Sequence, residues 1–392
     1  MQWASALSQE QELSRAMAEL KRSLSDQLGG NRPDFAIVFA SSHFQSGYRQ
    51  IPDLVSNLLS PTVLVGCSAE GVIGGGAEVE GMPALSITAA CLSGVTLSTF
   101  HVELDDLPTM DDGPSAWAKT LGVPQEPTPH FILLADPFTF DPAGLLMGLD
   151  FAYMGGAKMG GLASAQRGNT LFLNRDIFYS GAVGVALQGN ISVDTIVAQG
   201  CRPIGDPLKI TNCHRNFLLE VNHKPPIEVL MELYESLPPK DRMLMQRSLH
   251  LGIATTEFQE EFRPGDFLIR NVIGADQEKG ILAIGEVLQN GQTVQFHLRD
   301  AETSAEDLDL MLSRYRATSP DTPPSGALLF SCNGRGRGLY GRPNHDSDAL
   351  MGALGKIPLG GFFCAGEIGP VGGSTHLHGF TSSFGIFRPL SG

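Results

Sequence analysis

The stretch of the chain best suited to chemistry is a run of glycines, arginines and one thiol, Cys332-Asn333-Gly334-Arg335-Gly336-Arg337-Gly338. The run follows a short apolar segment typical of a buried strand, and ligands usually bind in the loops at strand ends. A guanidinium can hold a carboxylate through two parallel hydrogen bonds, so Arg335 or Arg337 could clamp an acidic group. The glycines do not form a phosphate loop, because the Lys-Ser/Thr pair and the dinucleotide-binding pattern are both missing.

A second motif places a cysteine three residues before a glutamate, once at Cys67 and Glu70 and again at Cys364 and Glu367. The Glu367 carboxylate could accept hydrogen bonds from an amine. A cysteine becomes a nucleophile only when a nearby base or a helix N-terminus lowers its pKa, and most free cysteines are small buried apolar groups. We therefore predict binding and no catalysis by these motifs. The predicted ligand-binding residues are Cys67, Ser68, Cys332, Asn333, Gly334, Arg335, Gly336, Arg337, Cys364, Gly366, Glu367 and His378.

Two enzymatic alternatives remain open at this point. His376 and His378 would share one face of a strand and could bind a metal with Glu367, Cys364 or the His345-Asp346 pair. A hydrolase could instead use Cys332 or Cys364 with His345 or His378. No Gly-x-Ser-x-Gly elbow is present, which argues against a serine hydrolase. We predict no catalytic residue, no metal site and no cofactor.

The elements that would position these residues follow one order three times. A buried strand is followed by a short helix, a glycine turn with small residues, and an alternating strand. We predict that these copies are an internal repeat. The strands are 35–40, 129–135 and 326–331; the helices are 51–59, 142–151 and 346–354; the glycine turns are 66–71, 160–164 and 360–367; the last strands are 84–92, 182–187 and 379–387.

The remaining segments complete a prediction of α+β class, with mixed sheets flanked by helices and a domain boundary near residue 200. An amphipathic helix is predicted over 8–28, with Ser8 and Gln11 as a capping box and Gly29-Gly30 as its end. About 120 residues between the second and third copies carry their own elements. The predicted strands there are 209–212, 217–221, 267–274, 280–285 and 293–298; the helices are 225–237 and 304–315; the most linker-like stretch is 318–325.

Composition excludes several functional classes. The 392 residues carry 27 Lys and Arg against 42 Asp and Glu, for a net charge of −15. That balance argues against binding to nucleic acid or to anionic lipid, both of which need cationic side chains. The six cysteines show no Cys-x-x-Cys spacing, which argues against a disulfide scaffold or a zinc ribbon. No apolar run approaches the ~18 residues that span a bilayer, and no signal peptide is evident, so we expect a soluble cytoplasmic protein.

These motifs resemble the FIST family, named for F-box and intracellular signal transduction proteins. The N-terminal signature is similar to Val65-Gly66-Cys67-Ser68-Ala69-Glu70-Gly71, and a linking signature is similar to Gln199-Gly200-Cys201-Arg202-Pro203-Ile204-Gly205. The C-terminal signature matches Phe330-Ser331-Cys332-Asn333-Gly334-Arg335-Gly336, the residues 358–370 and Leu377-His378-Gly379. The resemblance implies a FIST N-like domain at 1–200 and a FIST C-like domain at 201–392.

The resemblance also implies a sensory module for small ligands such as amino acids. Because no output domain is evident, we expect a stand-alone sensor that is not an enzyme, that binds a small molecule and that passes a signal to another protein. The alternatives are a protein-interaction scaffold without a ligand and the cysteine- or metal-dependent hydrolase described above.

Overall fold

The computed structural model describes residues 1–257, 261–262, 265–320 and 322–390. The chain divides into two compact units. Unit 1 consists of Met1–Val197, Met311–Pro370 and the described part of Ser374–Gly392, and unit 2 consists of Ala198–Leu310 and Val371–Gly373. The C-terminal segments thus belong to the same unit as the N-terminal half. The division into domains at 1–200 and 201–392 stays a prediction.

The first half of the chain supplies most of unit 1. Its helices are α1 (Leu13–Leu28), α2 (Ile51–Leu59), α3 (Pro114–Leu121) and α4 (Pro142–Ala152), with 3₁₀ turns at Ser42–Gln50, Leu104–Asp106 and Met110–Asp112. Its strands are β1 (Gln2–Ser8), β2 (Phe35–Ser41), β3 (Val63–Ala69), β4 (Gly71–Gly74), β5 (Ala77–Glu80), β6 (Leu85–Cys91), β7 (Val95–Val102), β8 (His130–Ala135), β9 (Lys158–Leu162), β10 (Leu171–Leu173), β11 (Asp176–Phe178), β12 (Ala182–Gly189) and β13 (Ser192–Ala198).

The second half begins with unit 2 and returns to unit 1. Its strands are β14 (Arg202–His214), β15 (Phe217–Val221), β16 (Leu249–Ala254), β17 (Phe267–Asp276), β18 (Ile281–Ile284), β19 (Thr293–Leu298), β20 (Gly326–Cys332), β21 (Leu359–Cys364), β22 (Glu367–Val371), β23 (Ser374–His378) and β24 (Ser382–Arg388). Its helices are α5 (Pro226–Ser236), α6 (Pro239–Met245), α7 (Ala301–Thr318), α8 (Gly336–Tyr340) and α9 (His345–Leu354).

Three mixed sheets form unit 1, in the orders β1-β6-β2-β3-β10-β11, β23-β22-β9-β8-β12-β7 and β13-β24-β20-β21-β4-β5. Each contains one parallel pair whose strands are joined through a helical segment, namely β2/β3, β8/β9 and β20/β21. The first strand of each pair also lies antiparallel to β6, β12 or β24. The predicted α+β class with helix-flanked mixed sheets is confirmed. The internal repeat stays a prediction.

Unit 2 is built on a closed barrel with the strand order β14-β15-β18-β17-β16-β19. Its interior is filled by aliphatic side chains and Phe296, which is 1% exposed. The predicted strands 209–212 and 217–221 are present and pair with each other, as Ile210 lies opposite Val221. The sequence did not predict β16, so the closure of the barrel was missed.

The three predicted glycine turns are wrong, because these glycines lie inside or beside strands β3, β9 and β21. The glycines allow close contact with the parallel neighbour and do not reverse the chain. A Cβ at Gly160 would lie 1.8 Å from the Leu133 carbonyl oxygen, and one at Gly361 would lie 1.8 Å from that of Leu329. Both residues also have φ angles near +150°, which side chains disfavour.

The start of the first helix was also predicted wrongly. Ser8 ends strand β1, and α1 begins at Leu13 with Glu12 at its N-cap and no side-chain cap. The Ser8–Gln11 capping box is therefore absent. Gly29 does end the helix, in the left-handed conformation expected of a C-terminal glycine.

Across the described residues, every helix is too short or too polar to cross a membrane.

Candidate ligand-binding site

The carboxyl ends of the three parallel strand pairs meet in unit 1 around Ser164. The Ser164 hydroxyl accepts a hydrogen bond from the Glu70 N–H at 3.0 Å and donates one to the Phe363 carbonyl. The Ser164 N–H donates to the Ser68 carbonyl at 3.4 Å. One serine after β9 thus links the ends of β3 and β21. In open sheets, this edge of parallel strands is where ligands bind.

Backbone hydrogen bonds extend the junction to the C-terminal motifs. Leu162 donates to the Gly366 carbonyl at 2.8 Å, and Ala365 donates to the Leu162 carbonyl at 3.0 Å. Asn333 donates to the Cys364 carbonyl at 3.0 Å. The fold therefore brings together the predicted Cys67–Ser68, Cys332–Gly334 and Cys364–Gly366 groups. Asn333, Gly334 and Ala365 are exposed at this edge.

Two of the thiols at the junction are buried and have raised pKa values. Cys67 and Cys364 are both 0% exposed. Burial raises the pKa of each thiol well above its ordinary value, and at Cys364 the nearby Glu367 charge raises it further. Both thiols are therefore protonated at neutral pH, whereas catalysis needs the thiolate. Cys332 is half-buried and its sulfur accepts a hydrogen bond from the Gly334 N–H at 3.4 Å.

Arg335 lies inside the protein and is 0% exposed. Its Nε and Nη2 donate to the two Asp346 carboxylate oxygens at 2.8 and 3.1 Å. Nη2 also donates to the Tyr340 hydroxyl at 2.6 Å, and Nη1 donates to the Phe380 carbonyl at 3.2 Å. The guanidinium thus clamps a carboxylate of the protein itself.

Asp346 is the centre of this buried polar cluster. Its carboxylate also accepts hydrogen bonds from the hydroxyls of Ser382 and Ser331, and the His345 Nδ1 lies 2.9 Å away. Burial opposes ionisation of the carboxyl. The Arg335 charge and the hydrogen bonds outweigh that effect and hold the pKa of Asp346 well below its ordinary value. Asp346 and Arg335 therefore form a buried ion pair.

Glu367 and His378 also lie in the interior. Glu367 is 0% exposed, and one of its carboxylate oxygens accepts a hydrogen bond from the Thr381 N–H at 3.0 Å. The His378 Nε2 lies 2.9 Å from the Gly369 carbonyl oxygen. Within the described ranges, no group of three or more His, Cys, Asp or Glu side chains is arranged to hold a metal ion.

The exposed rim of the site is formed by α8 and strand β5. The Arg337 N–H donates to a Glu80 carboxylate oxygen at 2.9 Å, and the Arg337 side chain is exposed. A Cβ at Gly336 would lie 2.5 Å from both Glu80 oxygens, so only glycine lets this carboxylate approach the helix. Burial raises the pKa of Glu80, and the Arg337 N–H and guanidinium oppose that rise. The rim thus holds a cation and a half-buried carboxylate side by side.

A further buried carboxylate, Glu78, gives a prediction for pH dependence. Its Oε1 accepts hydrogen bonds at 2.8 Å from both the N–H and the hydroxyl of Ser347. Burial, and then the Asp346 charge, raise the pKa of Glu78 to about 7 from 4.5. The unfolded chain therefore ionises first as the pH rises. Through Glu78, stability is full below pH 4.5 and falls by about 3 kcal/mol as the pH approaches 7.

Glu78→Gln should remove this loss, because an amide oxygen can still accept from Ser347 but does not ionise. We expect the variant to gain about 3 kcal/mol over wild type on going from pH 4.5 to 7. Urea unfolding followed by tryptophan fluorescence measures this, since both tryptophans, Trp3 and Trp117, lie in unit 1. Glu12→Gln, at an exposed site, is the control. A difference between variant and wild type that does not change with pH would contradict the assignment.

Several residues of the site were missed by the sequence prediction. Tyr340, Glu78 and Glu80 belong to no recognised motif, and Ser164 was placed only at the end of a predicted glycine turn. Asp346 was considered only as part of a metal site. The alternation of glutamates in β5 marks one face of a strand, and this was the one local signal that could have indicated Glu78 and Glu80.

Models of two protein-family domains match this chain. The family model of the FIST N domain matches residues 34–224, and that of the FIST C domain matches residues 226–370. The chain belongs to the FIST family. The two matches cover nearly all of the protein, including the junction around Ser164 and the Cys332–Arg337 run. FIST domains are associated with signal transduction.

Relatives of this FIST protein include an uncharacterized protein of Mycobacterium tuberculosis, 39% identical over 378 residues, which are 95% of this chain and 96% of the relative. An uncharacterized Mycobacterium bovis protein is 38% identical over 376 residues, 95% of each chain. An F-box/LRR-repeat protein of Arabidopsis thaliana is 28% identical over 105 residues, 26% of this chain and 20% of the relative.

A solved structure titled as a "cyanuic acid hydrolase" from A. caulinodans covers 99% of this chain and 100% of its own. Its sequence is 8% identical to this chain, and the TM-score is 0.37.

Proposed function

We propose that this FIST protein is a non-enzymatic sensor that binds a small molecule, such as an amino acid, and acts in signal transduction. The observation that carries the proposal is the rim pair of Arg337 and Glu80 at the strand-end junction. An amino acid needs one cation for its carboxylate and one anion for its ammonium group. The exposed Arg337 guanidinium and the Glu80 carboxylate supply these charges, with the exposed Asn333 nearby along the chain.

Several of the predicted ligand-binding residues are buried within the protein. Arg335, Glu367 and His378 make their hydrogen bonds to the protein, so we assign them to positioning α8 and the strand ends. The raised pKa values of Cys67 and Cys364 favour binding over thiol catalysis. Transfer of the signal to a separate protein belongs to the same proposal.

Arg337→Ala should weaken the binding of an amino acid by about tenfold to a hundredfold, the cost of a lost charge-assisted hydrogen bond. A thermal-shift screen of the 20 common amino acids would identify the ligand, and calorimetry would then give the affinities. Arg342→Ala is the matched control, because Arg342 is exposed and pairs with Asp348. If no amino acid raises the melting temperature, or if Arg337→Ala binds as wild type does, this site is not the sensor.

A further inference from the structure

Helix α4 has an exposed face that is apolar along its whole length. Ala143, Met147 and Phe151 recur at four-residue steps, so they form one stripe on the helix, and the exposed Met154 follows in the turn after its C-terminus. Met147 is 56% exposed, Phe151 37% and Met154 81%. The only charged residue of α4 is Asp150, which pairs with Lys158 at 3.0 Å. A helix that is apolar all round is normally buried, so this one lacks a cover on one side.

The opposite side of α4 is tightly packed and holds the stripe in place. Leu145 and Leu149 are buried in the core that lies under the helix. A Cβ at Gly148 would come within 2.0 Å of the Trp117 ring, so α3 packs directly against the α4 backbone. The exposed stripe is therefore a fixed surface.

A strongly acidic segment borders the stripe. Residues 103–112 contain five Asp and Glu residues and no Lys or Arg. Leu107 lies 3.9 Å from the Cβ position of Gly144, which places the segment around it beside α4. Asp105, Asp106, Asp111 and Asp112 of that segment are exposed, and the carboxylates of Asp106 and Asp112 also accept hydrogen bonds from the N–H groups of Glu103 and Thr109.

We propose that the α4 stripe, defined as Ala143, Met147, Phe151 and Met154, is the docking site for a basic amphipathic helix of a partner protein. An apolar face on that helix would cover the stripe, and Lys and Arg at its edges would meet the acidic border. Methionine side chains are adaptable and suit such a surface. A second copy of this chain fits less well, since it would bring two acidic borders together without cations.

The test uses full-length protein and a synthetic helical peptide of about 18 residues with leucine on one face and lysine on the other. Fluorescence anisotropy of the labelled peptide should show saturable binding that weakens as salt is raised. Met147→Lys with Phe151→Lys should weaken that binding by at least about tenfold, because both a central contact and the charge match are lost. Neutralising Asp105, Asp106, Asp111 and Asp112 to asparagine should weaken it mainly through slower association.

Three controls test whether binding depends on the α4 stripe and on the sequence and charge of the peptide. Met82→Lys changes a methionine that is 50% exposed elsewhere in unit 1 and should leave binding unchanged. A peptide with the same composition in scrambled order, and one with glutamate in place of lysine, should bind at least about tenfold more weakly. Equal binding of the scrambled peptide, or no binding of the amphipathic one, would refute the proposal. A wild-type dimer in sedimentation that the Met147→Lys/Phe151→Lys variant dissociates would assign the stripe to a second copy instead.

Discussion

Replacing Asp346 with alanine is expected to lower the free energy of unfolding of unit 1 by about 3–5 kcal/mol, the usual cost of breaking a buried ion pair. Arg335 is 0% exposed and donates to both Asp346 oxygens. Without the carboxylate, the guanidinium would remain buried and would lose both hydrogen bonds to Asp346. Ser382 and Ser331 would also lose their acceptor. The loss therefore combines an uncompensated charge with unsatisfied hydroxyls.

Urea unfolding followed by tryptophan fluorescence measures this effect in unit 1 alone. The matched control is Asp348→Ala, two residues along α9, where the carboxylate pairs with Arg342 and both side chains are more than half exposed. Surface pairs contribute little, so the control should change stability by less than about 1 kcal/mol. Similar losses in the two variants would show that the buried pair adds nothing beyond a surface carboxylate.

A double replacement tests whether the charges of the Arg335–Asp346 pair or the packing of its side chains determine stability. Arg335→Met with Asp346→Leu removes both charges and leaves apolar side chains of similar size. We expect it to be more stable than Asp346→Ala, because no buried charge is left unpaired. A double variant as unstable as Asp346→Ala would mean that the shape of the cluster matters more than its charge.

Much of the secondary structure was predictable because local rules determine it. Helix α2 and strand β2 begin where the apolar periodicity begins, and α5 starts at a proline near its N-terminus as predicted. The sequence did not indicate β16, which pairs with the next strand, β17, and with the more distant β19, where Ile253 lies opposite Val294. Strand Gln2–Ser8 was also missed, since its order depends on pairing with β6.

The candidate site was predictable as a set of motifs but not as a geometry. The sequence indicated that Cys67, Cys332 and Cys364 follow strands, and the parallel pairs bring them to one edge. It could not show that Arg335 turns inward, because the partner that neutralises it, Asp346, lies on another helix 11 residues away. The choice between an exposed clamp and a buried pair depends on burial, and burial is a property of the whole fold.

The glycines within the strands could not be recognised from the sequence either. A Gly-Gly pair followed by small residues is a common turn signal, but Gly361 lies in the middle of β21. There it faces the carbonyl oxygen of Leu329, its opposite residue on β20. Gly361→Ala should therefore lower the free energy of unfolding of unit 1 by more than about 4 kcal/mol, because the two strands would have to move apart to make room for the new Cβ. Losses of this size are exceptional for a single substitution.

Three observations make this effect larger than that of an ordinary glycine substitution. The added Cβ would lie 1.8 Å from the Leu329 carbonyl oxygen and 2.7 Å from the Leu329 carbonyl carbon. Both are backbone atoms, so they cannot move aside as a side chain can. The φ of Gly361 is also +149°, so alanine is strained even without a neighbour. The matched control is Gly352→Ala on helix α9, where nothing lies within 4 Å and alanine should stabilise by about 1 kcal/mol. If urea unfolding gives Gly361→Ala a loss below about 1 kcal/mol, β20 and β21 can separate freely, and the strand-end junction that they support is not rigid.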